Sequence, residues 1–444
     1  MKNNLLIIGG VAAGMSAASK ARRIDSELKI TAITDDQYVS YAGCGLPYYI
    51  GGKIPEQSQL IARRPEDFAQ QNISVKTRVR ARLIRPEQKY VVTENLETGQ
   101  LSEESYDRLL VCTGARPHIP SLEAINLEGI FTLRTVHDSL AIKAYLNQHK
   151  PKRALIAGGG YIGLEMVENL LEYGCEVILL ERSSHLLPNM DEDMALILTA
   201  YLQSRGVEVR TSENLSGFAG DFRVREAFTD KGSLPVDFVL LSMGVVPNSE
   251  LAAAAGVELG IRNAIRVNDR MESNLPGIYA AGDCATTKHL VSGQEVYIPM
   301  GTTANKQGKV AGENAAGGNA RFAGVLGTGI VRAMEMELSR TGLCENECRQ
   351  LGIDFISRRV KSRTAAHYCP VSGEIHVKIL VEEPNGRILG AQIVGFAGAA
   401  KRIDMLATAI TMRATVESLI DMDLAYSPPF SPVWDPVLVA LNQF

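Results

Sequence analysis

The chain has 444 residues, of which 45% are hydrophobic and 22% are charged; this composition is typical of a soluble globular protein of roughly two to four domains. Its formal net charge of −4 and the lack of an uncharged apolar run of ~20 residues give no reason to expect nucleic acid or a membrane as a partner. Seven scattered cysteines favour a reducing compartment over a disulfide framework, so we expect a cytoplasmic protein.

The chain begins with a predicted strand at residues 5–8, a glycine-rich turn and a small-residue helix at residues 15–23. This order is typical of a dinucleotide-binding fold, in which the N–H groups of the helix start face a pyrophosphate. Val11 stands where the pattern has its second glycine, and Thr34, followed by Asp35, stands where an acid should hold a ribose. The candidate nucleotide-binding residues are Gly9, Gly10, Val11, Ala12, Ala13, Gly14, Thr34 and Asp35.

A lone cysteine, Cys44, follows in the loop at residues 40–49, between Gly43 and Gly45. The flanking glycines allow a ligand to approach the backbone closely. The next cysteine is Cys112, so a redox role for Cys44 requires a second sulfur from the substrate or from a distant part of the fold. The alternative is an ordinary buried cysteine in a glycine-rich loop.

A second glycine-rich pattern is complete. A strand at residues 154–157 precedes Gly158-x-Gly160-x-x-Gly163, a helix at residues 161–173 and a strand at residues 177–180 that ends at Glu181. Glu181 has the spacing of an acid that binds an adenosine ribose, about 20 residues after the turn. Its carboxylate favours NADH, whereas Arg182 could pair with a 2′-phosphate and leaves NADPH possible. Two such patterns imply two dinucleotides, a flavin and a nicotinamide.

The rest of the chain adds two short strands and a different C-terminal part. Residues 109–117 predict a buried strand with a Thr-Gly turn, and residues 277–284 predict a strand that ends at Asp283, where open α/β sheets bind ligands. Residues 243–248 look like the exit from an inserted domain. Strands around residues 374–381 and 388–394, with helices around 400–412 and 416–420, predict a separate α+β domain. Cys344, a predicted helix start, and Cys348 lack the further ligands of a metal site.

Together these motifs resemble the pyridine nucleotide-disulfide oxidoreductases over essentially the whole chain. The run Ser40-x-x-x-Cys44-Gly45-x-Pro47-Tyr48 is similar to the single-cysteine group, which includes coenzyme A-disulfide reductases, NADH oxidases and persulfide reductases. Its Cys-Gly-Leu-Pro-Tyr part and residues 426–436 look closest to the coenzyme A-disulfide reductase branch, where Val11 is normal. The resemblance implies an α/β fold with two Rossmann-like FAD and NAD(P)H domains and a C-terminal α+β dimerisation domain. The implied FAD-binding domain comprises residues 1–116 and 247–320. The NAD(P)H-binding domain comprises residues 117–246, and the dimerisation domain comprises residues 321–444.

The resemblance also implies roles for individual residues. Tyr161 would lie near the flavin and shift when nicotinamide binds, and Tyr368 and Tyr426 would reach Cys44 of the other subunit in a homodimer. Further FAD-binding residues would be Ser40, Thr113, Gly114, Gly282, Asp283, Thr302 and Ala304. The nicotinamide site would comprise Gly158, Gly160, Tyr161, Ile162, Gly163, Glu181 and Gly244. Coenzyme A carries three phosphates, and Ser40 with basic residues such as Arg22 and Arg63 would bind it, although a solvated helix face explains Arg22 equally well.

Two positions depart from the family pattern. Gly43 replaces an asparagine that is frequent before the cysteine, which puts one substrate contact in doubt. Cys369 replaces the second tyrosine of a Tyr-Tyr-Pro run, and its thiol could act as a resolving sulfur in trans. The alternative to a redox role is that Cys369 is an ordinary small, buried hydrophobic residue.

The implied activity is that of an FAD-dependent NAD(P)H:disulfide oxidoreductase in which Cys44 forms a mixed disulfide with a small thiol, first of all coenzyme A. An NADH oxidase would instead cycle Cys44 through a sulfenic acid. A persulfide or polysulfide reductase is a third possibility, often with an appended rhodanese domain that is not found before Phe444. An electron-transfer flavoprotein reductase for a ferredoxin- or rubredoxin-like partner would need neither Cys44 nor residues 426–436.

Overall fold

The computed structural model describes residues 4–444. The first apolar run forms the centre of a parallel sheet, and Leu5, Leu6 and Ile7 are buried, as expected for a strand covered on both faces. The elements up to residue 117 are β1 (Asn4–Ile8), α1 (Ala12–Ile24), β2 (Lys29–Ile33), α2 (Leu46–Ile50), α3 (Pro65–Ala69), β3 (Ile73–Lys76), β4 (Val79–Arg85), β5 (Tyr90–Asn95), β6 (Leu101–Ser105), β7 (Arg108–Val111) and β8 (Ala115–Pro117). Strands β4, β5 and β6 form a separate antiparallel meander.

The next part of the chain forms a second parallel sheet around the second glycine-rich turn. Its elements are β9 (Ile130–Phe131), α4 (Val136–His149), β10 (Arg153–Ala157), α5 (Tyr161–Glu172), β11 (Glu176–Leu180), α6 (Glu192–Ser204), β12 (Glu208–Arg210), β13 (Leu215–Ala219), β14 (Glu226–Thr229), β15 (Gly232–Pro235), β16 (Phe238–Leu241) and β17 (Val245–Pro247). The strand order is β12-β11-β10-β16-β9, and β13, β14 and β15 form a small antiparallel sheet. The chain leaves and returns through the antiparallel pair of β8 and β17.

The chain then returns to the first sheet. The elements are α7 (Glu250–Ala253), β18 (Ile278–Ala280), β19 (Thr287–Lys288), β20 (Glu295–Val296) and α8 (Gly301–Ala315). Strand β18 pairs with β7 and gives the order β18-β7-β1-β2-β3. Helix α8 packs closely on α1, because a Cβ at Gly308 would lie 2.3 Å from the carbonyl oxygen of Ala13.

The C-terminal part forms an antiparallel sheet of order β21-β22-β25-β24-β23. Its elements are β21 (Gly329–Ala333), β22 (Met336–Gly342), α9 (Glu345–Leu351), β23 (Phe355–Arg363), β24 (Glu374–Glu382), β25 (Ile388–Gly395), α10 (Ile403–Thr411), α11 (Val416–Leu419) and α12 (Pro436–Leu441). Short 3-10 turns cover Gly43–Gly45, Gln57–Leu60, Ile261–Asn263 and Ala400–Arg402. Cys344 is the N-cap of α9, as predicted.

The predicted fold class is therefore confirmed, with two parallel α/β units and a separate C-terminal α+β unit. Element ends differ by a few residues, and the helix predicted at residues 400–412 is a 3-10 turn followed by α10. Within the part of the chain that the structure describes, every helix is too short or too polar to cross a membrane.

Candidate active site

The first glycine-rich turn lies at the carboxyl edge of the first sheet, and its glycines are sterically required. Gly9 has φ +124, and a Cβ there would lie 2.0 Å from the carbonyl oxygen of Cys112 at the end of β7. A Cβ at Gly14 would lie 2.0 Å from the carbonyl oxygen of Gly9. The turn is thus wedged between strand and helix, which brings the N-terminus of α1 to the edge where open α/β sheets bind ligands.

Thr34 occupies the strand-end position that faces this turn. It is buried, and its Cγ2 would lie 2.9 Å from a Cβ at Gly10. Asp35 is exposed instead, with Oδ2 at 3.3 Å from Nε of Arg80. Ser40 also contacts the turn, since its N–H donates to the carbonyl oxygen of Gly10 at 2.8 Å. The side chain of Asp35 is therefore turned towards Arg80, and the ribose position of this sheet holds a neutral threonine.

The other predicted FAD-binding residues follow the ends of β7 and β18. Oγ1 of Thr113 donates to the carbonyl oxygen of Asn248 at 2.5 Å, which joins this turn to the returning chain. A Cβ at Gly282 would lie 2.8 Å from Cβ of Ala13 and 3.5 Å from Cβ of Ala304. Strands β1, β2, β7 and β18 are neighbours in one sheet, so these residues line one edge. Gly114, Asp283 and Thr302 lie at the same edge, at the ends of β7 and β18 and at the start of α8.

Arg134 belongs to this edge as well, although no sequence motif pointed to it. Its Nη2 lies 2.6 Å from Oδ2 of Asp283. The hydroxyl of Tyr297 donates to the carbonyl oxygen of Asp283 at 2.9 Å. Arg134 directly precedes Thr135, the N-cap of α4, whose capping box with Asp138 fixes the chain at this point. Only that helix-start signal could have drawn attention to Arg134.

The second turn repeats the first at the edge of the second sheet. Gly158 has φ +114, and a Cβ there would lie 2.3 Å from the carbonyl oxygen of Ser242. A Cβ at Gly163 would lie 2.2 Å from the carbonyl oxygen of Gly158. At Gly160 a Cβ would meet open space, which explains why Val11 is tolerated at the matching position of the first turn. The close contacts of both turns bring each strand end next to the N-terminus of a helix, the arrangement that binds a pyrophosphate.

Glu181 faces this second turn. It is buried, Oε2 accepts a hydrogen bond from the N–H of Gly159 at 2.9 Å, and Oε1 accepts one from the N–H of Ser183 at 2.8 Å. Arg182 is exposed beside it. Ile162 lies half-buried in the first turn of α5, and Gly244 is exposed after β16 at the same sheet edge. A buried carboxylate fixed at this turn fits a ribose hydroxyl.

Cys44 lies in the 3-10 turn Gly43–Gly45, directly before α2, and is exposed. Although Cys44 is exposed, the protein packed around it removes part of the hydration of its thiol. This loss of hydration is the main cause of the raised pKa of the thiol. The charge of Glu165 raises this pKa further, whereas the guanidinium of Arg134 lowers it. The helix start expected near Gly45 is present as the short helix α2, and the net shift of the Cys44 pKa is upward.

Glu165 is a second residue that the sequence analysis missed. It lies in α5, four residues after Tyr161, so both share one face of the helix. Loss of hydration raises the pKa of its carboxyl to about 7. Its charge also acts on Tyr48, in which burial is the main cause of a raised pKa. The i, i+4 spacing from Tyr161 was the available signal. Glu165 can hold or release a proton beside Cys44 near neutral pH.

The basic residues predicted to bind coenzyme A differ in what they contact. All three nitrogens of the Arg22 guanidinium donate to backbone carbonyl oxygens, those of Asp25, Ser26, Leu28, Gln71 and Asn72. Arg22 therefore fixes two loops, and its assignment as a phosphate ligand is wrong for this structure. Arg63 is exposed and stacks over Phe68, with 5.5 Å between the guanidinium carbon and the ring centroid. Its donors are available for an anion.

Tyr368 and Tyr426 lie together on the C-terminal unit. Tyr368 is 64% exposed and Tyr426 is 46% exposed, and a hydrogen bond between them raises the pKa of Tyr368. Cys369 is half-buried beside Tyr368. The charged groups that shift the pKa of Cys44 are Glu165, Arg134 and Asp283, and all three come from the first two units rather than from the C-terminal one.

Comparisons with known proteins extend over nearly the whole chain. The family model of the pyridine nucleotide-disulphide oxidoreductases matches residues 3–308, and the model of the dimerisation domain of this family matches residues 330–436. The NAD(P)H coenzyme A polysulfide/persulfide reductase of Pyrococcus horikoshii is 38% identical over 441 residues, which are 99% of this chain and 98% of the relative.

Two further matches are similar in extent. The coenzyme A disulfide reductase of Staphylococcus haemolyticus is 32% identical over 431 residues, which are 96% of each chain. The crystal structure of reduced Bacillus anthracis CoADR-RHD superposes with a TM-score of 0.97 at 34% identity and covers 100% of this chain and 80% of its own.

Proposed function

The chain belongs to the pyridine nucleotide-disulphide oxidoreductase family, and from that membership we propose that it is a coenzyme A-disulfide reductase with Cys44 as its one redox sulfur. The enzyme is an FAD-dependent oxidoreductase of NAD(P)H that acts on sulfur groups. The observation that carries the proposal is the isolation of Cys44: it is exposed, it is unpaired, and Glu165, Arg134 and Asp283 are the groups that act on it. A second sulfur must then come from the substrate.

Both sheet edges fit their cofactors, because close contacts exclude a side chain at Gly9, Gly14, Gly158 and Gly163 and a buried acid faces the second turn. Residues 9–14, Thr34, residues 113–114 and Asp283 would hold FAD, and residues 158–163 with Glu181 would hold the nicotinamide dinucleotide. When bound, FAD supplies two-electron chemistry between the nicotinamide and sulfur. We propose that residues 1–116 and 247–320 form the FAD-binding domain, residues 117–246 the NAD(P)H-binding domain and residues 321–444 the dimerisation domain.

The reacting sulfur is the thiolate of Cys44. It attacks one sulfur of the substrate disulfide, so that the substrate S–S bond breaks, a mixed disulfide with Cys44 forms, and one thiolate leaves. Arg134 stabilises the thiolate of Cys44 because its positive charge lowers the pKa of the thiol. Glu165 lies close enough to act on Cys44, and its carboxyl is partly protonated near pH 7, so it can take up or return a proton as Cys44 changes its state.

Tyr368 and Tyr426 would act on the other subunit of a homodimer. The two tyrosines lie side by side on an exposed face of the C-terminal unit, where a second subunit can reach them. One of the pair could donate its proton to the leaving thiolate at Cys44 of the second subunit while the other supports it. Ser40 and Arg63 remain candidates for binding coenzyme A. A reducing, cytoplasmic setting suits seven cysteines that are all unpaired.

A second candidate function is the reduction of persulfides or polysulfides. The Pyrococcus horikoshii relative is matched over 98% of its own length and carries that name. The frequent association of such an activity with an appended rhodanese domain therefore does not separate the two candidates. An NADH oxidase with a sulfenic acid at Cys44 is the third; a reductase for a ferredoxin-like partner fits less well, because it has no use for Cys44.

The test is the intact mass of the purified, non-reduced holoenzyme together with its disulfide turnover. Coenzyme A-disulfide reduction predicts an added coenzyme A moiety on Cys44, whereas one extra sulfur atom would favour the persulfide candidate and one extra oxygen atom the oxidase. Cys44→Ser should lose both the adduct and turnover, and Cys175→Ser, at a buried thiol of the second sheet, is the matched control. Full turnover in Cys44→Ser with every disulfide would contradict the proposal.

A further inference from the structure

Residues 182–191 connect the nicotinamide turn with the C-terminal sheet, and we call them the bridging segment. At its start this segment packs on the turn: the N–H of Leu187 donates to the carbonyl oxygen of Gly159 at 3.0 Å. Cδ2 of Leu186 would lie only 2.5 Å from a Cβ at Gly159, and both leucines are buried. The segment therefore contacts the same glycine whose N–H binds Glu181.

The end of the bridging segment is fixed to the C-terminal sheet. Oδ2 of Asp191 accepts hydrogen bonds from Nζ of Lys378 at 3.0 Å and from Nε2 of Gln392 at 2.8 Å. All three side chains are buried. Arg340, also buried, donates from Nη1 to the carbonyl oxygen of Asn189. Because breaking a buried ion pair is strongly unfavourable, this end of the segment is expected to move only together with the C-terminal sheet.

Tyr161 lies between these two ends. It is the first residue of α5, directly after the turn, and its Oη accepts a hydrogen bond from Nδ2 of Asn189 at 3.2 Å. The phenol also packs on Gly329, the first residue of β21, where a Cβ would lie 2.2 Å from Oη and 2.9 Å from Cζ. The ring is thus fixed by one hydrogen bond from the bridging segment and by close packing on the C-terminal sheet.

We propose that Asn189 is a positioning residue for Tyr161, and that its side-chain hydrogen bond holds the ring against Gly329 until the nicotinamide enters. The inference rests on the proposed function and on the shift of Tyr161 on nicotinamide binding that the resemblance to the family implies. It makes the C-terminal sheet part of the nicotinamide site, through Arg340 and Asp191. Part of the binding free energy of NADH then displaces Tyr161, so removal of the hydrogen bond should tighten NADH binding.

The test is a double-mutant cycle on the holoenzyme with Asn189→Ala and Tyr161→Phe. Each change removes one end of the same hydrogen bond, and neither removes the main-chain contact between Asn189 and Arg340. Rapid mixing with NADH without oxygen gives the Kd of NADH and the limiting rate of flavin reduction. Each single variant should lower the Kd about two- to tenfold, the range expected for one neutral hydrogen bond. The double variant should match the single ones, because both changes remove the same hydrogen bond.

Tyr201→Phe is the matched control. Its hydroxyl also reaches the C-terminal sheet, where it lies 3.4 Å from Oε2 of Glu335, so its loss should leave the Kd unchanged. Gly329→Ala places a Cβ against the phenol hydroxyl and should lower the Kd even if Asn189→Ala does not fold. Additive effects in the double variant, an unchanged Kd in Tyr161→Phe or Gly329→Ala, or an equal drop in Tyr201→Phe would each overturn the proposal.

These outcomes are separate from those of the proposed function. The reduction of bound flavin by NADH does not use Cys44, so the cycle can be measured in a protein that fails to reduce any disulfide. Conversely, the role of Asn189 can fail while Cys44 still forms its adduct and turns over.

Discussion

Nη2 of Arg134 lies 2.6 Å from Oδ2 of Asp283, and this ion pair joins the loop before α4 to the end of β18. The two residues come from different sheets, and both charges act on Cys44, Arg134 lowering and Asp283 raising the pKa of its thiol. One half-buried cation therefore connects an expected FAD-binding residue with the redox cysteine.

Replacing Arg134 by methionine should make Cys44 a weaker acid. Arg134 is the charge that opposes the upward shift of the Cys44 pKa, so its removal should raise this pKa further and slow thiolate alkylation about two- to tenfold at pH 7.5. The measurement is the rate of iodoacetamide modification of the reduced enzyme against pH. Arg116→Met, which removes an ion pair with Glu250 between the two sheets, is the control, and an unshifted profile in Arg134→Met would refute the assignment.

Replacing Glu165 by glutamine should stabilise the protein at alkaline pH. Burial raises the carboxyl pKa to about 7, so between its ordinary value and pH 7 the folded protein binds more protons than the unfolded chain. Stability then falls as the pH rises through this window. The neutral glutamine removes that loss, and the free energy of unfolding at pH 8.5 should increase by about 1–3 kcal/mol. At pH 4 the two proteins should be similar. Urea unfolding at both pH values measures the difference.

Glu168→Gln is the matched control for this experiment, since Glu168 lies on the same helix and forms an ion pair with Lys53. Its replacement should lower stability by at most about 1 kcal/mol rather than raise it. Glu165→Gln should also speed alkylation of Cys44, because the charge of Glu165 raises the thiol pKa. A Glu165→Gln protein that is less stable at pH 8.5 would show that the carboxyl is not buried as described.

Replacing Glu181 by glutamine should move the coenzyme preference towards NADPH. The carboxylate is fixed at the turn by the N–H groups of Gly159 and Ser183, where it repels a 2′-phosphate, while Arg182 is exposed beside it. We expect the ratio of kcat/KM for NADPH over NADH to rise about tenfold or more, the effect of ~1.4 kcal/mol. Glu213→Gln is the control, since that buried acid faces Thr229 rather than the turn. An equal ratio in both variants would contradict the role of Glu181.

The sequence predicted those parts of the site that depend on backbone geometry along one stretch of chain. Gly9, Gly14, Gly158 and Gly163 could be recognised because no larger residue fits there, and Glu181 because a strand end fixes its distance from the turn. Arg134 and Asp283 are 149 residues apart, so no local pattern relates them. Glu165 was missed because its pKa depends on packing around the helix rather than on its neighbours in sequence.

Arg22 shows the opposite error. A basic residue on a helix face looks available for a phosphate, but the carbonyl oxygens that occupy its guanidinium belong to two loops, one of them about 50 residues away. Charge patterns identify which residues could bind an anion. Only the tertiary structure shows which of them still have free donors.

Oxidation should link Cys369 to Cys44 of the other subunit. Cys369 is half-buried next to Tyr368 on the same exposed face. If Tyr368 lies near Cys44 of the other subunit, the thiol of Cys369 lies near it as well. Mild oxidant should therefore produce a covalent dimer, seen by non-reducing mass spectrometry, that Cys369→Ser abolishes. Cys348→Ser, at a fully buried thiol of the same unit, is the control. Without that cross-link, Cys369 is a packing residue.

Mixed dimers should show that Tyr368 and Tyr426 act in trans. A dimer of one Cys44→Ser subunit and one subunit with both Tyr368→Phe and Tyr426→Phe contains one complete site if the tyrosines serve the other subunit, and none if they serve their own. We expect about half of the wild-type turnover per dimer, whereas each parent homodimer should be at least about 100-fold slower, the range lost with a general acid. Differently tagged subunits isolate the mixed dimer. Inactive mixed dimers would mean that the tyrosines act in cis, and fully active double-phenylalanine homodimers would mean that they only pack at the interface.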